Sequence, residues 1–155
     1  MKSLKAELQS RLAGRAALVG VGNTMKGDDG AGPRLVQRLK GAVHAVLFDA
    51  GTTPENQLGP IVRAAPRTVL IIDALHFGGL PGSIRIFNPK DLGSVAFTTH
   101  SMNLEFFVRY LKKHGIADVV FLGIQPAAVN FSETVSLPVQ KALDDLERIL
   151  RSLDL

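Results

Sequence analysis

Apolar positions along this chain follow two rhythms, and the places where one gives way to the other mark out the fold. Leu4, Leu8 and Leu12 recur every four residues, one stripe of a short amphipathic helix, and Gly14 stops it. Residues 16–21 (AALVGV) then run apolar without a break, the pattern of a buried strand. A glycine-rich turn, 20–32, leads to Pro33, which sits in the first turn of a helix carried by Leu35, Val36 and Leu39. Residues 43–49 (VHAVLFD) read as a second strand, and 57–65 as a short helix despite Gly59-Pro60. The third strand, 67–73 (RTVLIID), lacks any polar alternation and so fits the centre of a parallel sheet, covered on both faces. A loop (ALHFGGLPG), a short edge strand at 83–87, a helix capped by Ser101 and running to about 114, a strand at 119–124 and a closing helix at 136–153 follow.

Strands alternating with helices over short links predict a three-layer α/β/α sandwich around a mainly parallel twisted sheet of about five strands. The length, 155 residues, suits one domain. We expect residues 1–15 to be an N-terminal helical extension and 16–155 a single α/β domain. The edge strand at 83–87 is expected to pair antiparallel.

Composition narrows the function more than the fold. Hydrophobic residues make up 46% and charged residues 21%, as in an ordinary globular protein. With no cysteine, disulfides, thiolate metal sites and a cysteine nucleophile are all excluded. The formal charge is +4, but the 18 Lys and Arg are dispersed and no aromatic-and-basic stretch resembles a base-stacking platform, so no nucleic-acid partner is expected. No apolar run approaches the roughly 20 residues of a membrane span, and the N-terminus lacks a signal-peptide core. The expected location is the cytoplasm.

Chemistry gathers where apolar runs end. Sites in open α/β sheets lie beyond the carboxyl ends of the strands. Here the first strand runs into Asp28-Asp29, the second ends at Asp49, the third at Asp73 and the last runs into Gln125, while His100 precedes a helix. Each has a plainer reading. Asp28 or Asp29 can cap the following helix, Asp49 and Asp73 can close their strands through turn hydrogen bonds, and His100 can be a capping loop histidine. His44 and His114 read as surface residues. Taken together, two or three carboxylates and a histidine at one rim suit a borderline-to-hard divalent metal. The rival readings are weaker. Gly20-Val21-Gly22 opens like a dinucleotide fingerprint, but Met25 stands at the third glycine and the two aspartates would oppose a pyrophosphate. No phosphate-loop motif occurs, and no G-x-S-x-G marks a serine triad.

Five segments in order, GVGNTMKGDDGAGP (20–33), DAGTTPEN (49–56), IIDALHFGGLPGSIRI (71–86), TTHSMNL (98–104) and FLGIQP (121–126), resemble the hydrogenase maturation endopeptidases. The resemblance covers nearly the whole chain from about residue 16. It implies an α/β/α sandwich and an endopeptidase, aspartic-type or metal-dependent, that removes a C-terminal extension from a nickel-iron hydrogenase large-subunit precursor after nickel insertion. It further implies metal contacts from Asp29, Asp73 and His100, with Asp49 serving cleavage or substrate recognition. The divalent metal would be the nickel carried by the substrate, and the isolated protein need hold none. A non-catalytic assembly module that docks a maturing metalloenzyme is the alternative. Two positions depart from the family pattern. Ala50 stands where a second glycine is usual, and because a Cβ resists positive φ an altered loop is expected. His76 is open between an added nitrogen ligand, a specificity residue and a loop histidine of no role.

Overall fold

A computed structural model describes residues 3–93, 97–98 and 104–155. In chain order the elements are α1 (Leu4–Arg11), β1 (Ala16–Val21), α2 (Ala31–Leu39), β2 (Val46–Gly51), α3 (Leu58–Ala64), β3 (Thr68–His76), β4 (Ile84–Phe87), β5 (Phe97–Thr98), α4 (Leu104–Lys113), β6 (Asp118–Ile124) and α5 (Leu137–Ser152). The sheet order is β2-β1-β3-β6-β4. The first four of these strands are parallel, and β4 runs antiparallel along the outer edge of β6, as expected. The two-residue β5 adds an antiparallel pairing to the end of β3.

Strand alternation divides the core into two layers. Leu18, Leu70, Ile72, Val120 and Leu122 face α1, α2 and α5, and Val19, Val69, Ile71, Val119 and Phe121 face α3 and α4. Each helix contributes a stripe at helical spacing: Leu35, Val36 and Leu39 on α2, and Val139, Ala142, Leu143, Leu146 and Leu150 on α5. The α1 helix belongs to the first layer, with Leu8 and Leu12 buried in it. Arg11 holds it there through a two-pronged pair with Asp118, at 3.0 and 3.4 Å, and a bond to Asn88.

Two strand boundaries differ from expectation by three residues, the others by two at most. The β2 strand starts at Val46, not 43, because its first β1 partner is Ala17; upstream, His44 N–H instead reaches the carbonyl of Leu155. The β3 strand continues past Asp73 to His76, held by β6 as far as Ala74 and by β5 at Leu75 and His76. Ala50 is the extra residue at a register shift, between the Gly20–Asp49 and Val21–Gly51 pairs. It lies buried within β2, and the left-handed conformation falls on Gly51 (φ 52°).

The order of strands creates a switch point. The chain leaves β1 for β2 on one side and returns through α3 to β3 on the other, the arrangement at which open α/β sheets leave a crevice beyond the strand ends. Among the described residues no helix is long and apolar enough to cross a membrane.

Candidate active site

The glycine-rich turn is built as a plug for that crevice. Above Val21 the chain turns at Gly22 (φ 147°), whose N–H donates to the Gly51 carbonyl at 2.8 Å; a Cβ there would lie 1.9 Å from the Asp29 carbonyl oxygen. The following residues close on themselves through Lys26 N–H to the Asn23 carbonyl and Met25 N–H to Asn23 Oδ1. A short 3-10 turn, Gly27–Gly30, then runs straight into α2. At Gly32 a Cβ would sit 2.3 Å from the Ile72 carbonyl and 2.6 Å from that of Val21, so only glycine lets the start of α2 press onto both β1 and β3. The glycines thus serve the packing of helix on strand.

Asp28 and Asp29 are both buried, at 1% and 3% exposure, and they do different work. Asp28 Oδ2 accepts from Ala127 N (2.8 Å), Ala128 N (3.1 Å) and Ser136 Oγ (2.9 Å), and its Oδ1 from Ser136 N (2.7 Å). This carboxylate does not cap α2. It clamps the turn to the loop between β6 and α5, a hundred residues away, and three backbone bonds joining Met25, Gly27 and Asp28 to Ala128 and Ser132 reinforce the clamp. Asp29 Oδ2 accepts from Asn23 N at 2.9 Å, which sets its carboxylate within the turn.

Asp73, 1% exposed, occupies the facing wall of the crevice. The last β1–β3 pairing is Gly20 with Ile72, so Asp73 is the first residue of β3 beyond the reach of β1. Its face is that of Ile71 and Leu75, toward α3 and α4. The turn carrying Asp29 packs directly against β3. Both aspartates also have contacts beyond those named here. Asp29 and Asp73 thus lie on two elements that pack together at the switch point. His100, the third residue implicated by the sequence, and Ser101, the expected helix cap, lie outside the described residues.

Asp49 is elsewhere. It pairs in register with Gly20, on the opposite side of β1 from β3, and strand alternation turns it to the α2 face. There it is exposed, accepting from Gln37 Nε2 at 3.2 Å and from Gly51 N at 3.3 Å. Two strand spacings, about 10 Å, separate its backbone from that of β3, and it does not share the Asp73 face. His76, three residues past Asp73, is exposed and falls on the other face of β3, which rules against its joining Asp73 at one metal. Its Nδ1 lies 3.5 Å from Gln125 Nε2. Gln125, placed at the rim without a role by the sequence, is the organiser of the loop after β3: its buried Oε1 accepts from Phe77 N (2.9 Å) and Gly79 N (3.2 Å). His44 and His114 are exposed, as expected. Among the described residues no group of three or more His, Cys, Asp or Glu is gathered to hold a metal, so the described part of the site offers two carboxylates.

A family model described as hydrogenase maturation protease matches residues 33–152. The chain belongs to the hydrogenase maturation proteases. The hydrogenase 3 maturation protease of Escherichia coli K12 is 41% identical over 130 residues, covering 82% of this chain and 83% of that one. Among solved structures, a nickel-iron hydrogenase maturation protease from Thermococcus kodakarensis superposes with a TM-score of 0.82 at 31% identity, covering 94% and 99% of the two chains. The solution structure of an Escherichia coli maturation endopeptidase gives 0.80 at 38%, covering 88% and 89%. The α/β sandwich is the fold of these maturation proteases, and the class of activity is that of a processing endopeptidase.

Proposed function

We propose that this maturation protease removes the C-terminal extension of a nickel-iron hydrogenase large-subunit precursor in the cytoplasm, once nickel is in place. The observation that supports this reading is that two buried carboxylates, Asp29 and Asp73, sit on elements in contact, the 3-10 turn and β3. Carboxylate oxygens with an imidazole nitrogen suit a borderline divalent ion, so the pair fits the nickel of the substrate, with His100 as the nitrogen donor. A metal at such a site polarises a scissile carbonyl and acidifies a bound water. The protein's own part is positional. The Asn23 N–H orients Asp29, the Asp28 clamp fixes the turn on which Asp29 rides, and the open flank of β3 presents Asp73. Asp49, on the α2 side of β1, is assigned to the polypeptide on that side of the crevice.

The test is processing of nickel-loaded and nickel-free precursor followed by mass spectrometry of the C-terminus. Trimming of the loaded form alone is expected. Equal trimming of both removes the nickel requirement, and metal-dependent association without any change in mass shows a docking module instead. Asp29→Asn and His100→Ala are expected to abolish trimming while leaving the far-ultraviolet circular dichroism unchanged.

A further inference from the structure

Arg34, on the first turns of α2, is a guanidinium without a counter-ion among the described residues. Its Nη2 donates to the carbonyls of Thr24 and Glu133, both neutral acceptors. Its Nε is buried without a hydrogen bond, and among the described residues no carboxylate pairs with the group. Glu133, whose backbone carbonyl it meets, is exposed, and no ion pair joins the Glu133 carboxylate to Arg34. Arg38, one turn further along the same helix, is treated differently: its Nη1 meets Asp144 at 2.8 Å and Glu147 at 3.4 Å on α5. Both arginines line a solvent-open cavity of about 410 Å³, together with Gln37, Thr134 and Gln140.

From this we infer that the Arg34 cavity is a subsite for a carboxylate of the bound polypeptide. A partly buried guanidinium left unpaired is unfavourable, and a planar carboxylate matches its fork. The charge favours a single negative group over a phosphate dianion, because Arg38 is already neutralised by two acids and only one positive charge is left to answer. Gln37 and Gln140 are turned to Asp49 and Asp144, so recognition rests on Arg34. The position favours a polypeptide ligand. Arg34 holds the Thr24 carbonyl in the turn that carries Asp29, and Gln37 reaches Asp49 on β2, so a chain lying along the α2 side of the crevice passes the cavity. The carboxylate comes either from an acidic side chain or from the chain terminus. The inference rests on the proposed processing function for its ligand class.

Binding is tested apart from cleavage, on the full chain labelled with 15N-arginine. The Arg34 Nε–Hε resonance, identified by its loss in Arg34→Gln, is followed against two peptides: acetyl-diglycine with a free terminus, and acetyl-glutamyl amide with blocked ends. Chloride at matched ionic strength is the control. A saturable shift with the first assigns the site to a terminal carboxylate, with the second to an acidic side chain, and with both to either. No shift with either peptide, or an equal shift with chloride, overturns the subsite. In precursor processing, Arg34→Gln is expected to raise KM about tenfold, the loss of one charge-assisted pairing, with a smaller change in kcat. An unchanged KM in a variant with wild-type thermal stability also overturns it. Failure of the wild-type protein to trim any precursor counts against the processing function and leaves the titration as the test of the cavity.

Discussion

Asp28→Asn replaces one oxygen by NH2 at a carboxylate that accepts four hydrogen bonds, and its cost can be worked from the contacts. The amide oxygen, placed at Oδ2, keeps the bonds from Ala127 N, Ala128 N and Ser136 Oγ, but the NH2 group then faces Ser136 N–H, donor against donor. The flipped rotamer is worse, since three donors lose their acceptor. One buried donor left unmet costs about 1–3 kcal/mol, and three bonds reduced from charge-assisted to neutral cost about 0.5–1 kcal/mol each. Relief of the desolvated charge returns about 1 kcal/mol. The net expectation is a loss of about 3 kcal/mol, which in a domain of this size lowers Tm by about 6–12 °C. Urea unfolding followed by circular dichroism measures it, with an unchanged slope showing that the two-state transition is intact. Amide exchange should localise the loosening to residues 127–136 and the 3-10 turn. A variant within about 0.5 kcal/mol of wild type would refute the clamp, since that is the range of a surface substitution.

Gly32→Ala should fold poorly or lose several degrees in Tm, because its Cβ meets two backbone carbonyls that cannot move aside, those of Ile72 and Val21; a wild-type melting curve would contradict the close packing of α2. Gln125→Ala removes the acceptor of Phe77 N and Gly79 N and should speed amide exchange of both at least tenfold while β6 keeps its protection. His76→Ala should leave processing within about twofold of wild type, because its side chain leaves β3 on the face away from Asp73; loss of trimming in a folded variant would return it to the site.

How much of this was legible in the sequence depends on whether the deciding contact is local. Strand β1 matches 16–21, and β6 starts one residue early, because continuous apolar runs bounded by glycine and polar residues specify buried strands by themselves. The antiparallel edge position of β4 was likewise readable. The end of β3 was not, since Ala74, Leu75 and His76 are strand only through pairing with β6 and β5. Asp29 and Asp73 were singled out by their place at the ends of apolar runs, and the turn that carries the first packs on the strand that carries the second. The distinct tasks of the neighbouring Asp28 and Asp29 were hidden because the partners of Asp28 lie about a hundred residues on. Arg34 carried no signal at all: its interest lies in what does not pair with it, and a sequence does not show a missing counter-ion.

Asp49 is where topology revises the chemistry most. As one acid among several at a common rim, it was open to two roles, orienting the attacking water or holding the substrate. The strand register supports the second. Asp49 is level with Gly20 and on the α2 face, whereas Asp73 is one residue higher, two strands across and on the α3/α4 face. A group that moves a proton must come within about 3 Å of the reacting atoms in the bound complex, and Asp49 is instead held outward by Gln37 and the Gly51 N–H, on the same side of β1 as the Arg34 cavity. Asp49→Ala is therefore expected to raise KM for precursor several-fold with kcat little changed, and to weaken further in combination with Arg34→Gln by less than the product of the two single effects, since both act on one stretch of polypeptide. A fall in kcat of a hundredfold or more at unchanged KM would move Asp49 into the reaction itself, and would mean that the loop after β2 closes over β1 when substrate binds.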